Sequence, residues 1–152
     1  KGVDAVSGGR SLDSHVALLF REMSLSMSGK EPGVIAVSGF TEKDGGGCPM
    51  LDFLNELAVL EMSKYDSLKV VERSRLDSVI SEQKLSLSSL TDTDTAIQVG
   101  NLLSAKYILT GSLIEMPASV VVFGRIINTG SGEIESVAQI VLPKNQEVSA
   151  ML

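Results

Sequence analysis

His15 is the only histidine of the chain and Cys48 the only cysteine. A Ser-His-Asp or Cys-His site needs a nucleophile held against an imidazole, itself oriented by a third group. His15 stands inside an apolar-striped segment and Cys48 in a glycine-rich one, and no spacing brings the thiol or a particular serine to the ring. A histidine on a helix flank is the simpler reading. One His and one Cys are also too few for a usual zinc site. No cofactor, no metal and no catalytic residue is expected.

A phosphate loop is the next chemistry to test. Thr41 to Cys48 (TEKDGGGC) follows a strand-like run and precedes Pro49, which suits a first helical turn. A dinucleotide site lies at such a junction. The run lacks the G-x-G-x-x-G pattern, no Gly-Lys-Ser/Thr follows, and Lys30 precedes a strand. Free amides at the Pro49 helix start can still hold an anion, which keeps a small-molecule or nucleotide-binding enzyme as a rival reading. Otherwise the segment is a flexible loop and a candidate partner-binding surface, formed by Thr41, Glu42, Lys43, Asp44, Gly45, Gly46, Gly47 and Met50. The methionines Met23, Met27, Met62 and Met116 fall mostly in core stripes; only Met50 is expected to make contacts.

Asp92 and Asp94 alternate with Thr91, Thr93 and Thr95, and acids at a helix start answer the positive end of its dipole. Glu72 and Arg73 end a strand. An ion pair or cap explains them better than a catalytic dyad, because arginine does not titrate.

The elements that carry these residues follow from apolar spacing. Leu12, Val16, Leu19, Phe20, Met23 and Met27 make one helical stripe, with Ser11 as N-cap and Gly29 as stop. Gly33–Phe40 is a buried strand. Leu51, Leu54, Leu57, Ala58 and Met62 line the helix after Pro49. Ser67–Glu72 is a second strand. Ser74 with Asp77 suggests a capping box before Leu76, Val79 and Ile80. Leu85–Leu90 is ambiguous. Thr91 or Asp92 caps a helix with stripe Ala96, Val99, Leu102 and Leu103. Ala105–Ile114, Ser119–Asn128 and Glu133–Leu142 are strands, the last two joined by a Thr-Gly-Ser-Gly hairpin turn. Strand–helix alternation implies parallel neighbours and right-handed crossovers; the closing hairpins imply antiparallel strands. The fold expected is α/β (α+β): one three-layer-like domain with a mixed sheet of about five strands flanked by helices. Residues 1–9 form a flexible arm, 10–142 the domain and 143–152 a fraying tail. Val120, Val121, Val122 and Phe123 are apolar on both faces, as in a covered strand.

At 152 residues the chain suits one domain, and at 43% hydrophobic with 4% aromatic residues and no Trp its core must be aliphatic. Net charge −6 and 13 scattered basic residues argue against nucleic acid and disfavour anionic membrane surfaces as partners. No apolar run is long enough to span a bilayer, and the chain begins at Lys1 like a piece excised from a longer protein.

Three stretches, Val34-Ile-Ala-Val-Ser-Gly-Phe40, Val70-Val-Glu-Arg-Ser-Arg-Leu-Asp-Ser-Val-Ile-Ser-Glu-Gln83 and Thr95-Ala-Ile-Gln-Val-Gly-Asn-Leu-Leu-Ser-Ala-Lys-Tyr-Ile-Leu-Thr-Gly-Ser112, carry a family likeness. Over residues 30–142 the chain resembles the superfamily of envelope lipoproteins that holds the curli-secretion lipoprotein, the flagellar outer-membrane lipoprotein FlgO and the lipoprotein activators of penicillin-binding proteins. The helix before them is most similar to the flagellar branch. The resemblance implies a small mixed sheet flanked by helices, a periplasm-facing position at the outer membrane, and a lipid anchor on an upstream cysteine that this chain lacks. Cys48, in a mid-domain loop, is not that cysteine. It implies no catalytic residue; Glu72, Arg73, Gln83, Gly100, Ala105 and Gly111 match as scaffold. The partner implied is an envelope protein, either a flagellar or secretion component or a penicillin-binding protein, with self-association as a further reading. Short turns between the closing strands leave no room for the long alternating hairpins of a secretion pore.

Overall fold

A computed structural model describes residues 12–42 and 46–152. Helix α1 (Leu12–Ser26) leads into strand β1 (Gly33–Glu42), helix α2 (Pro49–Ser63), strand β2 (Leu68–Val70) and helix α3 (Arg73–Glu82). A 3₁₀ turn (Leu87–Thr91), helix α4 (Thr93–Leu102), strands β3 (Tyr107–Glu115), β4 (Ser119–Asn128) and β5 (Ile134–Pro143), and a short helix α5 (Gln146–Ala150) follow. The arm at 1–9 and the Ser11 cap lie outside the described residues.

The five strands form one sheet in the order β2-β1-β3-β4-β5. β1 runs parallel to both β2 and β3, as the strand–helix–strand order requires, and β4 and β5 add antiparallel. The mixed α/β sheet expected from the sequence is the one found. Helices α1 and α2 cover one face, where Val16, Leu19, Phe20, Met23, Leu54 and Met62 bury against Ile35, Phe40, Leu109, Val122 and Ile126. Each such side chain contributes about 1.5–3 kcal/mol on leaving water. Phe20 and Phe40 meet edge to face, ring centres 5.7 Å apart. On the other face Leu76 and Ile80 of α3, Ala96 and Val99 of α4 and Leu103 just after it close over Ala36, Ile108 and Ile127.

Several expectations are corrected. Met62 is fully buried, but Leu57 and Val79 are only half-buried and Leu102 is exposed, because each sits at the margin of its stripe. The second strand keeps only Leu68–Val70. No Ser74–Asp77 box forms: α3 starts from Glu72 without a side-chain cap, whereas Ser86 and Ser89 make a capping box on the 3₁₀ turn. Asp92 does cap α4, accepting from the Thr95 N–H at 3.0 Å. Gly29 lies past the end of α1 with φ +86°, in the turn toward β1. The expected fraying tail is folded instead. Asn145 caps α5, Val148 is buried, and the Met50 N–H donates to the Met151 carbonyl at 2.9 Å.

The largest correction concerns β4. Val120 and Val122 are buried under α1, but Val121 is half-buried and Phe123 exposed. Helices α3 and α4 follow the β2-β1-β3 half and reach β4 only at Ile127, leaving Phe123 of β4 and Ile134, Val137 and Val141 of β5 exposed.

Candidate functional site

At the carboxyl ends of the parallel strands β1 and β2, the start of α2, the start of α3 and the 3₁₀ turn leave a groove of about 540 Å³. Clefts outside the carboxyl ends of parallel strands are the usual ligand position of α/β sheets. Phe40, Thr41, Gly46, Gly47, Cys48, Asp52, Asn55, Arg73, Ser86 and Ser88 line it.

The local sequence sets up this shape. β1 shifts register between Val37 and Gly39, and Gly39 takes φ +109°, a conformation that glycine adopts freely. Asn55 fills the gap from α2: its Oδ1 accepts the Phe40 N–H at 2.7 Å. A Cβ at Gly39 would come within 2.9 Å of that oxygen, so the bulge and the asparagine are matched. Pro49 opens α2 with Cys48 at the N-cap in extended conformation.

Of the loop residues expected to bind a partner, Thr41 and Glu42 are half-buried at the end of β1. Lys43, Asp44 and Gly45 lie outside the described residues. Gly46 and Gly47 are exposed and line the groove. A Cβ at either would meet nothing within 4 Å, and neither has a positive φ. The fold therefore does not demand glycine at these two positions. Met50 is fully buried among the core residues, so its side chain offers nothing at the surface.

Burial pushes the Cys48 thiol above its ordinary range; nearby Leu51 and Met50 amides pull it down less, and Glu42 adds to the rise. At neutral pH the thiol stays protonated, the unreactive form. His15 is exposed on α1 and lines no wall of the groove. Arg73 holds Asp77 through Nε at 3.1 Å on the exposed face of α3; Glu72 is exposed beside it. Asp92 is a cap whose carboxyl is held below the ordinary range by the Thr95 hydroxyl and amide.

A smaller depression shares Thr41 and Ser88 with the groove, and Thr91 and Ser112 with a hollow of about 400 Å³ on the open sheet face. In that hollow Arg125 Nε donates to Thr110 Oγ1 at 3.1 Å and Nη2 to the Thr91 carbonyl at 2.6 Å. A trough of mixed polar and apolar lining thus runs from the head of α2 across the 3₁₀ turn to β4. Sequence reasoning found its glycine rim but missed Asn55, Ser86, Ser88 and Arg125. An asparagine inside an apolar helix and a glycine inside a strand were the available signals.

The motif residues divide. A Cβ at Gly111 would fall 2.1 Å from the Phe40 ring and one at Gly100 2.4 Å from the Thr129 methyl, and Ala105 is buried. These three are packing positions. Glu72, Arg73 and Gln83 are exposed at the two ends of α3.

Residues 34–140 match the model of the family described as curli production assembly/transport component CsgG. No sequence among the curated proteins matches the chain. Among solved structures, the C-terminal domain of LpoB from Escherichia coli aligns at TM-score 0.69 and 15% identity, covering 87% of this chain and 98% of that one. The same domain from Salmonella enterica aligns at 0.65 and 15%, covering 83% and 96%. Lipoprotein GNA1162 from Neisseria meningitidis aligns at 0.62 and 8%, covering 76% and 83%.

Proposed function

The chain belongs to the CsgG family, and from that premise we propose that it is a non-catalytic binding and assembly module of the cell envelope, facing the periplasm and tethered by a lipid upstream of this segment. Its partner is another envelope protein, and the trough from Gly46 to Ser88 is where that partner docks. The observation that carries this is the pair Gly46–Gly47. Glycine that the fold does not need, on the rim of an open groove, suits close approach of a second backbone. The groove walls carry hydroxyls, an amide, a guanidinium and the Asp52 carboxylate, and the one thiol among them is held protonated.

A second reading names the partner as a penicillin-binding protein, the domain acting as activator of a peptidoglycan synthase. The structural likeness to LpoB favours it over a flagellar or secretion component. Incubating the purified domain with a penicillin-binding protein and following glycan polymerisation tests it directly; an unchanged rate removes this reading and leaves the adaptor. For the docking surface, deletion of Gly45–Gly47 or Arg73→Glu should weaken partner capture about tenfold or more, the loss of roughly 1.4 kcal/mol, with the thermal midpoint nearly unchanged. Normal capture by both variants would take this groove out of consideration.

A further inference from the structure

Strand β5 ends the sheet on the side away from β2. Its inner edge is fully used by β4, and no other described strand meets its outer edge. Exposed edges of natural sheets carry guards: lysines, prolines, bulges, or a very short strand. The opposite edge has one, since β2 is Leu68–Val70 only. β5 has almost none. From Ser136 to Leu142 it reads Ser-Val-Ala-Gln-Ile-Val-Leu, with no charge and no proline; Pro143 closes its end and Glu135 its beginning. The bulge in its ladder lies between Ile126 and Ile127, opposite its first residues, so the stretch from Ser136 onward is regular. On the open face Val137 is 67% and Val141 57% exposed.

We propose that β5 pairs with β5 of a second copy of this chain, antiparallel about a twofold axis at Gln139, making one continuous sheet of two protomers. The register follows from geometry. A twofold normal to the sheet keeps each side chain on its own face, so the axis must pass through a residue and not between two. Centring on Gln139 uses the strand from Glu135 to Pro143 and sets Val137 against Val141 of the second copy. On the other face Ala138 meets Ile140, and Ser136 meets Leu142. No like charges oppose, because Glu135 falls against Pro143 while Lys30 and Asn128 already hold its carboxylate. Centring on Ala138 would put Gln139 against Val137 and Glu135 against Val141. Ala138 and Ile140 face α1 yet are only part-buried, so the helix layer leaves them area to lose against a neighbour.

Charge also favours this place over others. At net charge −6 two copies carry a net repulsion, and the stretch from Ser136 to Leu142 adds no charge to it. A seam of one strand pair is smaller than a standard interface of about 1,600 Å², so the association is concentration-dependent. It is separate from the groove proposed above for the partner, which lies at the heads of β1, α2 and α3 and contains no β5 residue.

The test is sedimentation equilibrium of the whole chain up to its solubility limit, together with single-site chemistry at the axis. The unaltered chain should show a monomer–dimer equilibrium. Gln139→Lys places two ammonium groups opposite each other and should sediment as monomer with unchanged circular dichroism; mixing it with Gln139→Glu should restore dimer as a heterodimer. In a Cys48→Ser background, Gln139→Cys sits opposite itself within disulfide reach and should oxidise to a covalent dimer, while a cysteine at exposed Glu82 should not. A chain monomeric at every concentration, a dimer that survives Gln139→Lys, or equal cross-linking at Glu82 and Gln139 each overturns the proposal.

Discussion

Gly111 and Phe40 interlock across the parallel pair β1–β3, and the ring has nowhere to retreat. Phe40 is fully buried with its edge against Phe20, while the Phe123 carbonyl stands 2.6 Å from where a Gly111 Cβ would lie. Gly111→Ala should therefore destabilise the fold by about 3 kcal/mol, the upper end for overpacking, read as a fall in the urea midpoint. Gly46→Ala should stay within roughly 0.5 kcal/mol of the unaltered chain, as surface changes do. A different single-residue effect belongs to Asp92. Its carboxyl is held below the ordinary value of about 3.9 by the Thr95 hydroxyl and amide, with Arg125 adding a smaller pull. A lowered folded pKa means stability that is present above the unfolded value and is lost as pH falls through the folded one. Asp92→Asn keeps a good N-cap but no charge. At pH 7 the variant should melt below the parent, and the gap should close as the pH drops under the ordinary carboxylate range. Thermal melts across that range check it; a gap independent of pH would assign the cap's value to shape alone.

Among the elements, α5 departs most from what the sequence suggested. Five residues are too few to show an apolar period, and the polar run after Pro143 resembles a frayed end. The available signal was Asn145, which accepts the Val148 N–H at 2.8 Å. The helix buries Val148 and closes the first free amide of α2 through the Met151 carbonyl. Ending the chain at Lys144 uncovers that amide and removes the buried valine. The expected loss is about 3 kcal/mol, from one side chain's burial and one orphaned donor, measured by chemical denaturation. The long helices were legible because their stripes are long. Their margins were not: Leu57, Val79 and Leu102 fit the spacing, yet what covers them depends on the crossing of neighbouring helices.

For the molecule as a whole, the alternation of strands and helices was enough to place parallel strands first and hairpins last. Coverage was less legible. Val120–Phe123 reads as doubly buried because residue type reports hydrophobicity, not the position of a distant helix. Crossovers tie α3 and α4 to β2-β1-β3, and on that face the antiparallel half goes uncovered beyond Ile127. The candidate site shows the same division. Its glycine loop is local and was visible in the sequence; Asn55, Ser86 and Ser88 reach the groove from α2 and the segment after α3, a convergence that no linear spacing encodes.

The Glu147 carboxylate accepts the Leu12 N–H at 3.0 Å, which brings the first described turn of α1 beside the last helix. Tension applied at Leu12 would therefore enter through a helix, not through a strand. α1 adheres by side-chain packing and by the Ser136 hydroxyl on the Met23 carbonyl, with no backbone ladder to load in shear. Under traction it peels first, and the five hydrogen-bonded strands, with the groove at the head of α2, keep their connectivity while it does.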